Sequence, residues 1–207
     1  KYAAIPETKL SKSPSKQGIK KQKSPSVLFA SGQYGQAIEL ININLKSNID
    51  NHKLIFLKGR SQLMLNQYKK SVSTFLDALA IKMDSDYLNG LGYAYSKLEQ
   101  PNKALAAYNK AISINNKNSY AYFNSGLLLE NKGNKKLASN YFYSAGTSSL
   151  LNKDFLKANN AHDALQRLSK GESVISEKSN KLGNLIKELT DDKDDDFKII
   201  KVKSNGD

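Results

Sequence analysis

The chain has no cysteine. That excludes a disulfide framework, a thiolate metal site and a thiol nucleophile, and it leaves the compartment open, since cysteine-free proteins occur in oxidising and reducing surroundings alike. Histidine is almost as scarce. His52 and His162 have no nucleophile or metal-ligand spacing beside them, and His162 and Asp163, adjacent on a helix, point in different directions and form no dyad. No apolar run approaches the roughly 20 residues of a membrane span. None of the many asparagines begins an Asn-x-Ser/Thr acceptor. The sequence starts at Lys1 and not at a methionine, which leaves room for a leader cleaved upstream. Localisation stays unassigned on these grounds. A soluble chain with no metal site, no cofactor and no enzymatic activity is expected.

Charge is present in excess and unevenly placed. The formal net charge is +13 over 207 residues. Residues 1–26 carry +6, residues 27–170 carry +9, and residues 171–207 carry −2. The first segment, "KYAAIPETKLSKSPSKQGIKKQKSPS", is rich in Lys, Ser and Pro and has no apolar periodicity, so it buries too little surface to offset the entropy of ordering. It reads as a disordered basic arm whose Ser-Pro steps at Ser13 and Ser24 suit either proline-directed phosphorylation or contact with a phosphate backbone. With one aromatic, Tyr2, it gives no support to a reading by base stacking.

From about residue 27 to residue 170 apolar residues recur at steps of three and four, interrupted by short polar breaks such as "LNQYK", "LEQPN" and "NKGNK". The pattern predicts short helices joined by tight turns, with Ser85 and Ser119 as N-caps and Pro101 in a first turn. The stretch "NGLGYAYSK" has glycines at 90 and 92 with the spacing of a dinucleotide-binding turn. The residue three beyond the second is Tyr95, and the preceding "IKMDSDYL" is too polar for a buried strand, so a phosphate cradle is excluded. Gly92 instead has counterparts at Gly59 and Gly126, 33 and 34 residues away. Small residues recur in register at Ala37, Ser71, Ala104 and Ala138, followed four residues later by Phe75, Tyr108 and Phe142, and then by Ala78, Ala111 and Ala145. Glycine inside a helix costs about 1 kcal/mol against alanine, so its return at one slot implies close helix crossing, with Gly92 facing Ala104, Gly126 facing Ala138 and the aromatics filling the gap to the next pair.

These slots, Leu91, Gly92, Tyr95, Ala104, Tyr108 and Ala111 above all, together with the 34-residue period, resemble the tetratricopeptide repeat family. The resemblance implies an all-α fold, a right-handed α-solenoid of antiparallel helix pairs with disordered ends. The repeats would span about 18–51 (degenerate, with Pro25 in the glycine slot), 52–84, 85–118 and 119–152. A capping helix at 153–170 follows, with Phe155, Leu156, Ala161, Ala164, Leu165 and Leu168 inward. Residues 171–207 hold an amphipathic helix at about 174–189, striped by Ile175, Leu182, Leu185, Ile186 and Leu189, and a disordered acidic and basic tail. In such arrays the first helix of each pair lines a concave groove. That places Lys53, Phe56 and Arg60, then Asn89, Tyr93 and Ser96, then Tyr120, Phe123, Leu127 and Glu130 on it. Exposed aromatics beside cations read as a peptide groove. Some members clamp a C-terminal carboxylate with matched Lys, Asn and Arg side chains; Lys53, Arg60, Asn89 and Asn124 are an incomplete set.

Two motifs lie outside this frame. "DDKDDD" lacks the glycine and terminal glutamate of an EF-hand loop and reads as a solubilising or autoinhibitory run. "DDDFKIIKVK" has Ile199, Ile200 and Val202 after acids, resembling strand-adding motifs that bind ubiquitin-like modifiers. The functional expectation is a protein-interaction scaffold or assembly factor holding a partner's peptide or helix in the groove. The alternative is a binder of nucleic acid or another anionic polymer through the basic arm and the basic surface.

Overall fold

The computed structural model describes residues 24–204, with side chains described as far as Asp191. Of the disordered basic arm expected at 1–26, residues 1–23 lie outside the described residues, as do the side chains of the tail, while residues 24–26 are not disordered but form the cap and start of a helix. Ten α-helices and no strand occur among them: α1 Pro25–Ala30, α2 Tyr34–Leu45, α3 His52–Met64, α4 Tyr68–Ile81, α5 Ser85–Lys97, α6 Pro101–Ile114, α7 Ser119–Asn131, α8 Lys135–Leu151, α9 Phe155–Leu168 and α10 Ser173–Ser204. Each odd-numbered helix turns back on the even-numbered one after it. The five hairpins stack into a right-handed solenoid.

The helix starts are locally encoded. Pro25, in the slot that looked unfit for a repeat, is the first residue of a short α1 and is buried; Ser24 caps it by accepting from the Val27 amide at 3.3 Å. Pro101 opens α6, where a missing donor is harmless. The expected caps Ser85 and Ser119 are corrected by one residue. Asp84 and Asn118 are the caps, accepting from the Asp86 and Ala121 amides at 2.9 and 3.0 Å. Asx side chains cap at least as well as serine, and in cap position they free the serine that follows. Ser85 uses that freedom: its hydroxyl donates to the Ala111 carbonyl at 2.9 Å and accepts from Asn118 Nδ2 at 2.7 Å, tying three helices together.

The turn inside each hairpin needs one residue of positive φ. The residues that take it are Gly32, Asn66, Glu99, Gly133 and Gly171, at φ between 57° and 80°. Glycine and asparagine accept this conformation readily and glutamate does not. Glu99→Gly should therefore raise stability by roughly 0.5–1 kcal/mol, read as an upward shift of the thermal melting midpoint.

Packing explains the recurrent glycines. A Cβ built on Gly92 would lie 2.6 Å from the Tyr108 ring and 3.1 Å from the Ala104 carbonyl. One built on Gly59 or Gly126 would lie 2.7 Å from Phe75 or Phe142. The aromatics thus do not chiefly fill the gap to the next pair, as the sequence suggested; each lies on the glycine of its own hairpin, because a ring stacked on bare backbone fills a close crossing better than two opposed side chains. Phe75 does both. Its other edge would meet a Cβ on Gly90 at 2.7 Å, so the two glycines of "NGLG" serve neighbouring rings. Phe75, Tyr108 and Phe142 are fully buried.

Two features differ at the C-terminal end. Residues 153–170 supply one half of a fifth hairpin: α10 packs on both α9 and α8, with Ile175, Leu182 and Ile186 buried in the cluster that holds Phe142, Ala161 and Leu165. The backbone of α10 runs on, helical, through the acidic run. Leu156, expected inward, is exposed, and Ala158 is buried in its stead. The buried row 158, 161, 165, 168 fixes the inner face, and position 156 lies about 200° round the helix from 158.

Candidate partner-binding groove

The odd-numbered helices form the inner layer. α1 packs on α3, α3 on α5 and α5 on α7. This crowding of inner helices curves the stack and makes their free face concave. Every residue expected on the groove from Lys53 to Glu130 lies on α3, α5 or α7, but they are held very differently.

Lys53 is free on the surface. Phe56 is half-buried, stacked on Tyr87 at 4.4 Å between centroids and tilted against Phe75 at 5.8 Å, so it forms the floor of the groove and not its lip. Arg60 lies with its guanidinium 4.5 Å from the centre of the Phe29 ring, which ties α3 to α1. Asn89 accepts from Asn124 Nδ2 at 2.9 Å, a rung across α5 and α7 that uses two of the four side chains of the incomplete clamp on each other. Ser96 is half-buried at the end of α5. Glu130 is engaged by Arg167 of α9, which donates from Nε at 2.9 Å and from an Nη at 2.7 Å. That fork-shaped pair fixes α9 against α7.

Tyr93, Tyr120 and Leu127 are the apolar surfaces left open, 38%, 53% and 37% exposed. Lysines stand over both rings: Lys97 Nζ lies 5.3 Å from Tyr93 and Lys157 Nζ 4.3 Å from Tyr120. Such cation–ring contacts hold each ring in place without covering it.

Beside Tyr120 the inner layer opens. α7 and α9 stand further apart than the earlier inner pairs, and a cavity of about 160 Å³ lies between them, lined by Ser119, Tyr120, Phe123, Ala145, Ser149, Lys157 and Asn160. Phe123 forms one wall, braced at 5.3 Å by Phe142. Lys157 forms the rim, paired with Asp154, the N-cap of α9. The hydrogen bond from Lys157 holds the Asp154 carboxyl below its ordinary range, and the same bond, then Tyr120, raises the Lys157 ammonium. The rim is therefore a fixed ion pair beside an apolar hole. Sequence reasoning missed Lys157 and Asn160 because it treated 153–170 as a terminal capping helix; as the first helix of a fifth hairpin, α9 lines the cavity beside Tyr120.

Elsewhere Tyr87 donates to or accepts from His52 Nδ1 at 2.6 Å, tying two hairpins, and burial, then Asp84 and Asp86, pushes the Tyr87 phenol up. His162 packs under Gly183 and beside Gln166. No group of three His, Cys, Asp or Glu side chains that could hold a metal occurs among the described residues, and none of their helices is long and apolar enough to cross a membrane.

A curved stack of helical hairpins with an apolar inner groove is the architecture of repeat proteins that associate with other chains. Residues 85–118 match the tetratricopeptide repeat, so the chain contains such a repeat, and the helix pairs on either side of it stack in the same way. Among curated proteins it is 30% identical over 109 residues to a TPR repeat-containing protein of Methanocaldococcus jannaschii, covering 53% of this chain and 19% of that one. The chain thus spans about a fifth of that relative's length. Among solved structures its fold is similar to MamA (15% identity, TM-score 0.63, 84% of this chain and 98% of that one). It is also similar to PcrH in complex with the chaperone binding region of PopB (19% identity, TM-score 0.53, 56% and 94%).

Proposed function

We propose that this chain is a non-enzymatic scaffold or assembly factor that holds an extended or helical segment of a partner protein in its concave groove. The observation that carries the proposal is the open apolar inner surface of Tyr93, Tyr120 and Leu127, running into the cavity walled by Phe123. Large rings held by flanking lysines lose little entropy when a partner covers them, which is the character of binding anchors. The capture of a PopB segment by PcrH, a protein of the same fold, supports the reading.

The anchoring unit is the cavity. Its volume suits one apolar side chain, and Lys157 at its rim is already neutralised by Asp154, so the cavity selects by shape and not by charge. Lys53, Arg60, Asn89 and Ser96 would flank the partner's course along α3 and α5. Glu130 would act by keeping α9 in place.

The test is Tyr93→Ala combined with Tyr120→Ala. Both rings are exposed, so the helical circular dichroism should be unchanged, while recovery of co-purifying partners should fall and the dissociation constant of the strongest should rise about 10- to 100-fold. Unchanged recovery would refute the proposal.

A further inference from the structure

Over the middle three of the five hairpins the surface charge is divided between the two edges of the solenoid. One edge carries the turns inside the hairpins. In the windows 64–73, 97–106 and 130–139 it holds seven lysines, Lys69, Lys70, Lys97, Lys103, Lys132, Lys135 and Lys136, against two glutamates. The other edge carries the links between hairpins. Its windows 80–89, 113–122 and 149–158 hold four lysines and three aspartates.

Pairing deepens the contrast. The three ion pairs among the described residues are Lys82 with Asp84, Lys157 with Asp154, and Arg167 with Glu130. The first two neutralise the link edge, and the third removes Glu130 from the turn edge. Glu99 is the one carboxylate left in the three turn windows without an ion pair. All seven lysines are exposed and none is in an ion pair.

The turns lie side by side. Lys132 Nζ donates to Asn102 Oδ1 at 2.9 Å, joining the second turn window to the third, and the packing of α4 on α5 sets the first beside the second. Five of the lysines, Lys69, Lys70, Lys103, Lys135 and Lys136, fall in the first turn of an even-numbered helix, where a cation opposes the helix dipole. Helix stability therefore does not account for them. A file of unpaired cations running along three hairpins fits a linear polyanion.

We propose that the turn edge is a docking surface for the phosphate backbone of duplex nucleic acid, read without regard to sequence. The chemistry favours this occupant. The file holds lysines and no arginine, which supplies point charges and not the planar fork that reads base edges. The one ring within its windows, Tyr68, is half-buried and donates to Asn66, which leaves an unpaired base little to stack on. A duplex carries about one charge per 1.7 Å of its axis, a denser line of negative charge than a flexible acidic polypeptide presents. Only Lys97, which also stands over Tyr93, is shared with the groove, and the inference does not depend on it.

The test uses the full chain and a fluorescein-labelled 20-base-pair DNA duplex of mixed sequence, followed by anisotropy between about 50 and 200 mM NaCl. The first variant neutralises Lys69, Lys70, Lys135 and Lys136 to Gln. The second neutralises Lys82, Lys110, Lys117 and Lys153 to Gln, the same loss of charge away from the turn edge. The wild type should lose affinity linearly in log K against log salt. The turn-edge variant should have a slope shallower by about 3 to 4, at about 0.9 per phosphate contact, and bind at least about tenfold more weakly at the lower salt. The control variant should change the slope by less than about 1. Polyglutamate at equal charge concentration should fail to displace the duplex, and Tyr93→Ala with Tyr120→Ala should leave duplex binding intact. The proposal is overturned by absence of duplex binding, by equal losses in the two lysine variants, or by displacement with polyglutamate, which would assign the edge to an acidic protein.

Discussion

Phe75→Ala is expected to lower the unfolding free energy by about 3–5 kcal/mol, the usual cost of emptying a buried aromatic site. The environment argues for the upper half of that range. The ring is fully buried, with Phe56 tilted against it at 5.8 Å, and it lies between Gly59 of its own hairpin and Gly90 of the next, two contacts that offer no side chain to fill the space. Domains of this size hold about 5–15 kcal/mol in total, and in a stacked array the loss falls on one hairpin and on its interface with the neighbour. Urea unfolding followed by circular dichroism should show a separate early transition for the N-terminal hairpins. A loss below about 1 kcal/mol would mean that the ring is not the joint described.

Gly92→Val is expected to cost about 3 kcal/mol, at the upper end of overpacking effects. The added Cβ would already be 2.6 Å from the Tyr108 ring, and Ala104 brings backbone to 3.1 Å, so the helices would have to part. Part of the clash is with a single ring, which gives the prediction a second arm. Combining Gly92→Val with Tyr108→Ala should cost less than the sum of the single changes by about 1–3 kcal/mol, the coupling of two residues in contact. Strict additivity would show that Gly92 is not seated on that ring. The Tyr108 phenol, whose ionisation burial pushes well up, stays neutral throughout the range in which such melts are run.

The repeat was legible in the sequence because it rests on backbone proximity, and proximity leaves a mark: only a glycine satisfies a slot such as 59, 92 or 126 without a shift of the facing ring, and the 33- to 34-residue return exposes the rule. Pro101 and the all-helical fold followed from local chemistry. What each ring touches was less legible. Phe75, Tyr108 and Phe142 share a slot, yet Gly90 gives Phe75 a second seat, and a glycine beside a glycine carries no label for its partner. The caps moved by one residue since Asp84 and Ser85, or Asn118 and Ser119, compete for one geometry and only the fold reveals that the serine is wanted elsewhere.

The groove was legible as a face and not as a site. Position within the repeat put Tyr93, Tyr120 and Leu127 on the inner layer, but the same positions also hold Phe56, which serves as floor, and Glu130, which straps α9. Those roles depend on contacts 30 or more residues away, with Tyr87 and Arg167. The cavity itself arises where α9 parts from α7, a departure from the repeat that periodicity cannot report.

The central claim is that the inner face, and not the outer, captures the partner. It is tested most directly by measuring the Tyr93→Ala, Tyr120→Ala pair beside an outer-layer pair of equally exposed residues, Leu76→Ala with Leu137→Ala on α4 and α8. With all proteins matched for helical content, partner recovery should collapse in the inner pair and remain at the wild-type level in the outer one. Loss in the outer pair with full recovery in the inner would contradict the account.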